Sequence, residues 1–130
     1  MTRLLVIAGT ADAVQFVAGQ PAEVEILATT FSQLGADCLA PRPGLRLHSG
    51  ALDLAGFAAL LAAEQPDFVV DLSHPFAVEV SRNAKAAAAR QGVEYLRFER
   101  QASEAEGCLH FADFAAAAAA CQQIEGNILL

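Results

Sequence analysis

At 130 residues, with 55% hydrophobic and 18% charged positions, the chain has the length and composition of one folded globular domain, not of a disordered segment. A formal net charge of −7 argues against nucleic acid as a partner, since that affinity rests on neutralising phosphates with Lys and Arg. The longest wholly apolar run, 114–121, is too short to cross a membrane, and three cysteines without a C-x-x-C pair fit neither a disulfide framework nor a structural zinc site.

The chain opens with RLLVIA (Arg3 to Ala8), a continuous apolar run with a glycine directly after it, the pattern of a strand buried on both faces. This N-terminus lacks the longer apolar region and cleavage site of a secretory signal, so a cytoplasmic protein is expected. Ala11 to Ala18 has helical spacing and is closed by Gly19. Glu23 to Thr29 alternates and is rich in Val and Ile, which predicts a second strand. The segment from Ser32 to Gly44 carries at most a helical turn before its two prolines, and Leu45 to Ser49 reads as a short third strand.

Asp53 starts a helix whose apolar face is Leu54, Phe57, Leu60 and Leu61. Asp67 to Asp71 is a fourth strand. Ser73 as N-cap and Pro75 in the first turn predict a helix from Pro75 to Arg90, stopped by Gly92. Val93 to Phe98 is a fifth strand, Gln101 to Gly107 a polar, disordered loop, Ala112 to Gln123 an alanine-rich helix, and Asn127 to Leu130 the opening of a sixth strand. Strands alternating with helices predict an α/β domain, Rossmann-like and doubly wound, with a mainly parallel sheet of about five or six strands. A buried strand at the very end suggests the N-terminal part of a longer protein.

In such sheets ligands bind outside the carboxyl ends of the strands. Three segments arrive there. Gly9-Thr10-Ala11-Asp12 lies where a strand hands over to a helix, so unpaired amides and the helix dipole favour a phosphate; equally, Thr10 can be a plain N-cap. Thr29-Thr30 ends strand two, where an acid would select NAD and an arginine NADP; neither marker is present and the cofactor preference stays open. The third is DLSHPFA, residues 71–77. Ser73, Pro75 and Phe76 account for a helix start, whereas His74 is left over for function. No G-x-S-x-G surrounds Ser73, which excludes the usual hydrolase elbow, and a phosphoryl-accepting receiver would need a lysine where Arg97 to Arg100 stand. His48, His74 and His110 show no ligand spacing with one another or with the cysteines, so no metal is expected. Five of the eight basic residues (Arg82, Lys85, Arg90, Arg97 and Arg100) cluster in the second half, a charge pattern that holds a polyanionic small molecule or simply solvates helix faces.

AGTADA after strand one, DLSHPFAVEVSRNAKAAA after strand four and YLRFER in strand five together resemble the precorrin-6A and cobalt-precorrin-6A reductases of cobalamin biosynthesis. The matching positions are Gly9, Thr10, Asp12 and Ala13; Asp71, Ser73 to Ala77, Ser81, Asn83 and Ala84; and Arg97 and Arg100. The resemblance implies hydride transfer from NADPH or NADH to a double bond of an anionic tetrapyrrole, precorrin-6A or its cobalt form. It also implies two Rossmann-like domains with the site between them, of which residues 1–130 would be the first, inactive alone. On that reading Gly9, Thr10, Asp12, Thr29, Thr30, Ser73 and Phe76 lie on the cofactor side, His74 is the candidate catalytic residue, and Ser81, Asn83, Arg97 and Arg100 face the substrate. A homo-oligomer stays open. The sequence departs from the family at Ala8, where glycine is usual and a methyl group would crowd the phosphates. The competing reading is a non-catalytic Rossmann-like module for nucleotide binding or assembly, through its open sheet edge.

Overall fold

The structure, a computed structural model, describes residues 1–99, 107 and 109–127. It divides into two units, Met1–Arg100 and Gln101–Leu130. The first contains β1 (Arg3–Ile7), α1 (Ala11–Ala18), β2 (Glu25–Thr30), α2 (Gln33–Asp37), β3 (Leu45–Ser49), α3 (Leu54–Glu64), β4 (Phe68–Asp71), α4 (Val78–Gln91) and β5 (Glu94–Arg97). In the second, α5 spans Phe114–Cys121, with the Asp113 carboxylate accepting from the Ala116 amide as N-cap. The expected disordered loop and sixth strand fall mainly on residues outside the described ones.

Every strand pairs in parallel, in the order β3-β2-β1-β4-β5. The chain thus moves outward from β1 to β3, then returns to lay β4 against the other side of β1. That reversal opens a crevice above the carboxyl ends of β1 and β4, where an α/β sheet receives its ligands.

The apolar run of β1 is continuous because both faces are covered. Leu4 and Val6 point into one core with Ala13 and Val17 of α1, while Leu5 and Ile7 point into another with Phe57 and Leu61 of α3 and Ala84, Ala87 and Ala88 of α4. The same alternation continues in β2, where Ile26 and Ala28 join the first core and Leu27 the second. Alanines at 84, 87 and 88 let α4 lie close to the sheet, and Gly92 (φ 68°) closes it in the left-handed conformation that glycine tolerates best.

Expected boundaries are corrected at α4 and β2. α4 begins at Val78, not Pro75, and its cap is Ala77, which makes no side-chain cap hydrogen bond. The Ala77 amide instead donates to the His74 carbonyl at 2.8 Å, closing a turn over 74–77. Ser73 does not cap the helix because its hydroxyl is taken by Arg97 and Ser81. β2 runs two residues later than expected at its start and one later at its end, so that Thr30 pairs with Ser49.

The double-sided burial of β1 sets an energetic expectation. Leu5→Ala, at a position with no exposure, should cost about 2–5 kcal/mol in urea unfolding. Leu47→Ala on the edge strand, 45% exposed, should cost less than about 1 kcal/mol.

Candidate functional site

The carboxyl ends of β1 to β4 enclose a cavity of about 200 Å³. Gly9 enters it from β1, Thr29, Thr30 and Phe31 from β2, Gly50 from β3, and Ser73 and His74 from the β4 loop. Two further recesses flank the Gly9 loop. One, about 540 Å³, lies between α1 and α2; the other, about 360 Å³, lies between the loops after β1 and β4 with Phe98 and Glu99. Five of the residues singled out from sequence (Gly9, Thr29, Thr30, Ser73 and His74) therefore meet around one cavity.

Gly9 has φ +123° and a Cβ built on it would touch nothing within 4 Å. The backbone here is bare toward the opening, the condition for close approach of a phosphate to the first turn of α1. Thr10 is the N-cap: its hydroxyl accepts from the Ala13 amide at 3.2 Å and donates to the Leu72 carbonyl at 2.7 Å. Its single proton is thus spent on tying the β1 loop to the β4 loop, and any phosphate there would meet main-chain amides instead. Asp12 sits in the first turn of α1, where its charge suits the helix dipole but repels an anion; it lines the recess beside His74 and Pro75. Ala8 packs in the core cluster with Ala13 and also lines both the cavity and the recess between α1 and α2, beside Gly9.

Thr29 and Thr30 are buried floor residues. Their hydroxyls turn back to the Val6 carbonyl at 3.5 Å and the Ser32 carbonyl at 2.9 Å. His74 is an exposed lip of the cavity, whereas Phe76, expected on the cofactor side, is exposed and lines none of these recesses. The Phe76 amide donates to His74 Nδ1 at 3.1 Å, and the two rings stand 5.0 Å apart. With Nδ1 accepting this bond, Nε2 is left as the ring's donor.

Below this lip lies a polar cluster that sequence reasoning had only partly named. Asp71, fully buried at the end of β4, accepts from the Ser73 amide at 2.9 Å and from the Tyr95 hydroxyl at 2.5 Å. Arg97 Nη1 is 3.0 Å from the same carboxylate, and also 3.0 Å from the hydroxyls of both Ser73 and Ser81. Burial alone would raise the Asp71 carboxyl, but the hydrogen-bonding groups of Ser73, Ser81 and Tyr95 outweigh it and hold it below the usual aspartate range. Burial, then the bond to Asp71 and its charge, push the Tyr95 phenol up to about 12.

Arg97 and Ser81, expected to face a substrate, are engaged within the protein (Nη1 as described, and Nε with Glu99 at 3.2 Å), and both also border an open groove beside α4. Asn83 is half-buried on α4 and borders none of these recesses; two residues past Ser81 it is turned about 200° around the helix. Arg100 lies outside the described residues. Arg82 and Lys85 line an open groove of about 740 Å³ with Pro75, Val78 and Arg97, and neither makes an ion pair among the described residues. Tyr95 was missed because a tyrosine in a strand reads as packing. The signal was there in the two-residue spacing to Arg97, which puts both on one face of β5. Among the described residues no cluster of His, Cys, Asp or Glu could hold a metal ion, and no helix is long and apolar enough to cross a membrane.

A parallel sheet that reverses beside β1, with a bare glycine turn and a cavity at its carboxyl edge, defines the doubly wound, Rossmann-like class. The same fold occurs in the Bordetella bronchiseptica enzyme WbmH, solved in complex with NAD+ (TM-score 0.59, 18% identity, 72% of this chain and 36% of that one). Residues 3–130 match the family described as Precorrin-6x reductase CbiJ/CobK, and the chain belongs to that family. The solved CobK precorrin-6A reductase is similar at 35% identity and TM-score 0.74, over 92% of this chain and 49% of that one. The cobalt-precorrin-6A reductase of Methanothermobacter thermautotrophicus is 32% identical over 95% of this chain and 42% of its own length. The precorrin-6A reductase of Rhodobacter capsulatus is 35% identical over 100% of this chain and 53% of its own. The chain spans about half the length of these relatives.

Two solution measurements read the buried cluster. The chain has one tyrosine and no tryptophan, so phenolate absorbance reports Tyr95 alone. A raised phenol stabilises the fold fully below about pH 10, the unfolded value, and loses that contribution as pH climbs through about 12. The native chain should accordingly show almost no phenolate at pH 10, while the urea-unfolded chain is about half ionised there. Asp71, held low, contributes fully above about pH 4 and loses its contribution as pH falls below that. Asp71→Asn should therefore cost about 3 kcal/mol at pH 6, and the gap to wild type should narrow in denaturant titrations at pH 3.

Proposed function

We propose that this chain is the nucleotide-holding part of a two-domain precorrin-6A reductase, an enzyme passing hydride from NADPH or NADH to a double bond of an anionic tetrapyrrole. The observation that carries this reading is the convergence of Gly9, Thr29-Thr30 and Ser73-His74 on one cavity at the carboxyl edge, in a chain of the reductase family. The names of the relatives favour a reductase over a non-catalytic assembly module. Their greater length leaves room for a second domain to form the opposite wall of the crevice.

The residues present fit a dinucleotide. The open space over Gly9 suits a pyrophosphate held by the first amides of α1. The buried threonine floor beside exposed Phe31 and Gly50 suits the adenosine half. The recess between Thr10, Asp12, His74 and Phe98 suits the nicotinamide half, which supplies the hydride when bound. His74 serves there as a hydrogen-bond donor through Nε2 at the rim of the crevice, orienting the group that lies against it. On the neighbouring groove, Arg82 and Lys85 offer charge to carboxylates and Val78 offers apolar surface, a pairing suited to a macrocycle fringed with acids.

Fluorescence titration with NADPH and with NADH tests the reading. Gly9→Ala places a methyl group in the opening and strains the left-handed backbone. It should weaken binding about tenfold while lowering stability by only about 1–2 kcal/mol. Absence of binding by either nucleotide to the wild-type chain would overturn the proposed site.

A further inference from the structure

We infer that Tyr95, Asp71 and Arg97 form a positioning clamp whose task is to hold the Ser73-His74 turn in its ligand-facing geometry. This role deepens the proposed function and rests on that reading for its binding consequence, although not for its structural one.

The cluster is over-built for packing. A carboxylate with no solvent exposure needs partners, and one arginine would serve. Here three other groups converge with it, and every one leads to the same turn. Asp71 Oδ1 holds the Ser73 amide, the residue directly before His74. Tyr95 occupies the opposite oxygen, Oδ2, at 2.5 Å, which stops the carboxylate rotating about its bond to Cβ and so keeps Oδ1 aimed at Ser73. Arg97 Nη1 then bridges Oδ1 to the Ser73 hydroxyl, and Ser81 fixes the same nitrogen from α4.

On the far side of the turn the Thr10 hydroxyl pins the Leu72 carbonyl. Residues 72 and 73 are thereby held from both neighbouring strands, and the His74 ring is set by the next residues of the turn, its Nδ1 accepting from the Phe76 amide. His74 itself is exposed and borrows no burial to stay in place. Its orientation depends on the backbone being fixed one residue earlier. Tyr95 borders the groove of Arg82 and Lys85 but does not line the nucleotide cavity, so its effect on that cavity passes through Asp71.

The test uses this chain with Tyr95→Phe, which deletes one hydroxyl, and with Ser81→Ala as a second, milder variant. Circular dichroism checks that each folds. Nitrogen-15 NMR of the histidine rings, with the His74 signals identified by their loss in His74→Gln, reads the turn directly; NADPH fluorescence reads its consequence. In Tyr95→Phe, His74 Nδ1 should lose its accepting bond and move to the mixed-tautomer signal of a free imidazole, and NADPH should bind about tenfold more weakly. Ser81→Ala should shift both in the same direction by less. Unchanged His74 signals in both folded variants would overturn the clamp, even if melting temperatures drop. If His74 responds but the wild-type chain binds no NADPH, the clamp stands and the proposed function falls.

Discussion

A carboxylate sealed from solvent is the constraint on which the top of this domain depends. Stripping Asp71 of water costs several kcal/mol, which only well-aimed partners recover. β4 delivers the charge to the point where the sheet reverses, and β5, in register beside it, delivers Tyr95 and Arg97 on one face. α4 adds Ser81. These partners come from two elements that lie well beyond β4 in the chain, so the site cannot form before the fold does. Local preference is overruled as a consequence: Ser73 would make a good N-cap, but its hydroxyl is worth more to a partly buried guanidinium than to a surface helix end, and α4 starts later.

This arrangement separates rigid floor from exposed lip. Thr29, Thr30, Asp71 and Ser73 are buried and hydrogen-bonded inward, whereas Phe31 and His74 stand in solvent. The division suits a ligand that must be both located and released. Floor groups fix the shape of the cavity and cost nothing on binding, because they are already ordered; lip groups supply contact area and donors that water occupies otherwise. The Gly9 turn belongs to both, being main chain on a rigid strand yet open to the crevice.

The parallel sheet, its two apolar faces and most helix positions were legible in the sequence, because hydrophobic periodicity and glycine stops are local signals. β1 shows this best: its unbroken apolar run could only mean cover on both sides, and both covers are present. Gly9, Thr29, Thr30, Ser73 and His74 were legible as a group for the same reason, since every one lies at a strand end whose place follows from topology. What escaped was pairing. Arg97 looked like a substrate-facing cation and is the counter-charge of Asp71, a whole helix and strand earlier in the chain; Tyr95, to which the sequence assigned no role, carries the second bond to that residue. Thr10 read equally as a phosphate contact or an N-cap; it is the N-cap, and it gives its proton to the β4 loop. Charge and hydroxyl groups are chosen by partners across the sheet, and a single sequence does not state which partners those are.

The redistribution of the basic cluster obeys the same physics. Arg82 and Lys85 are three apart on α4 and share a face, and their position on the helix surface leaves them in solvent at the edge of the open groove. Arg97 lies on a strand whose inner face looks at a buried acid, and electroneutrality draws it in. One run of basic residues is thus split between two jobs by the periods of the elements that carry them. The helix-borne charges stay available to a polyanion at the cost of solvation alone. The strand-borne charge is held to Asp71 through Nη1, and breaking that pair costs more than a solvent-exposed carboxylate returns. In the proposed reaction, therefore, anionic substrate groups are to be sought along α4, while β5 fixes the turn that carries His74.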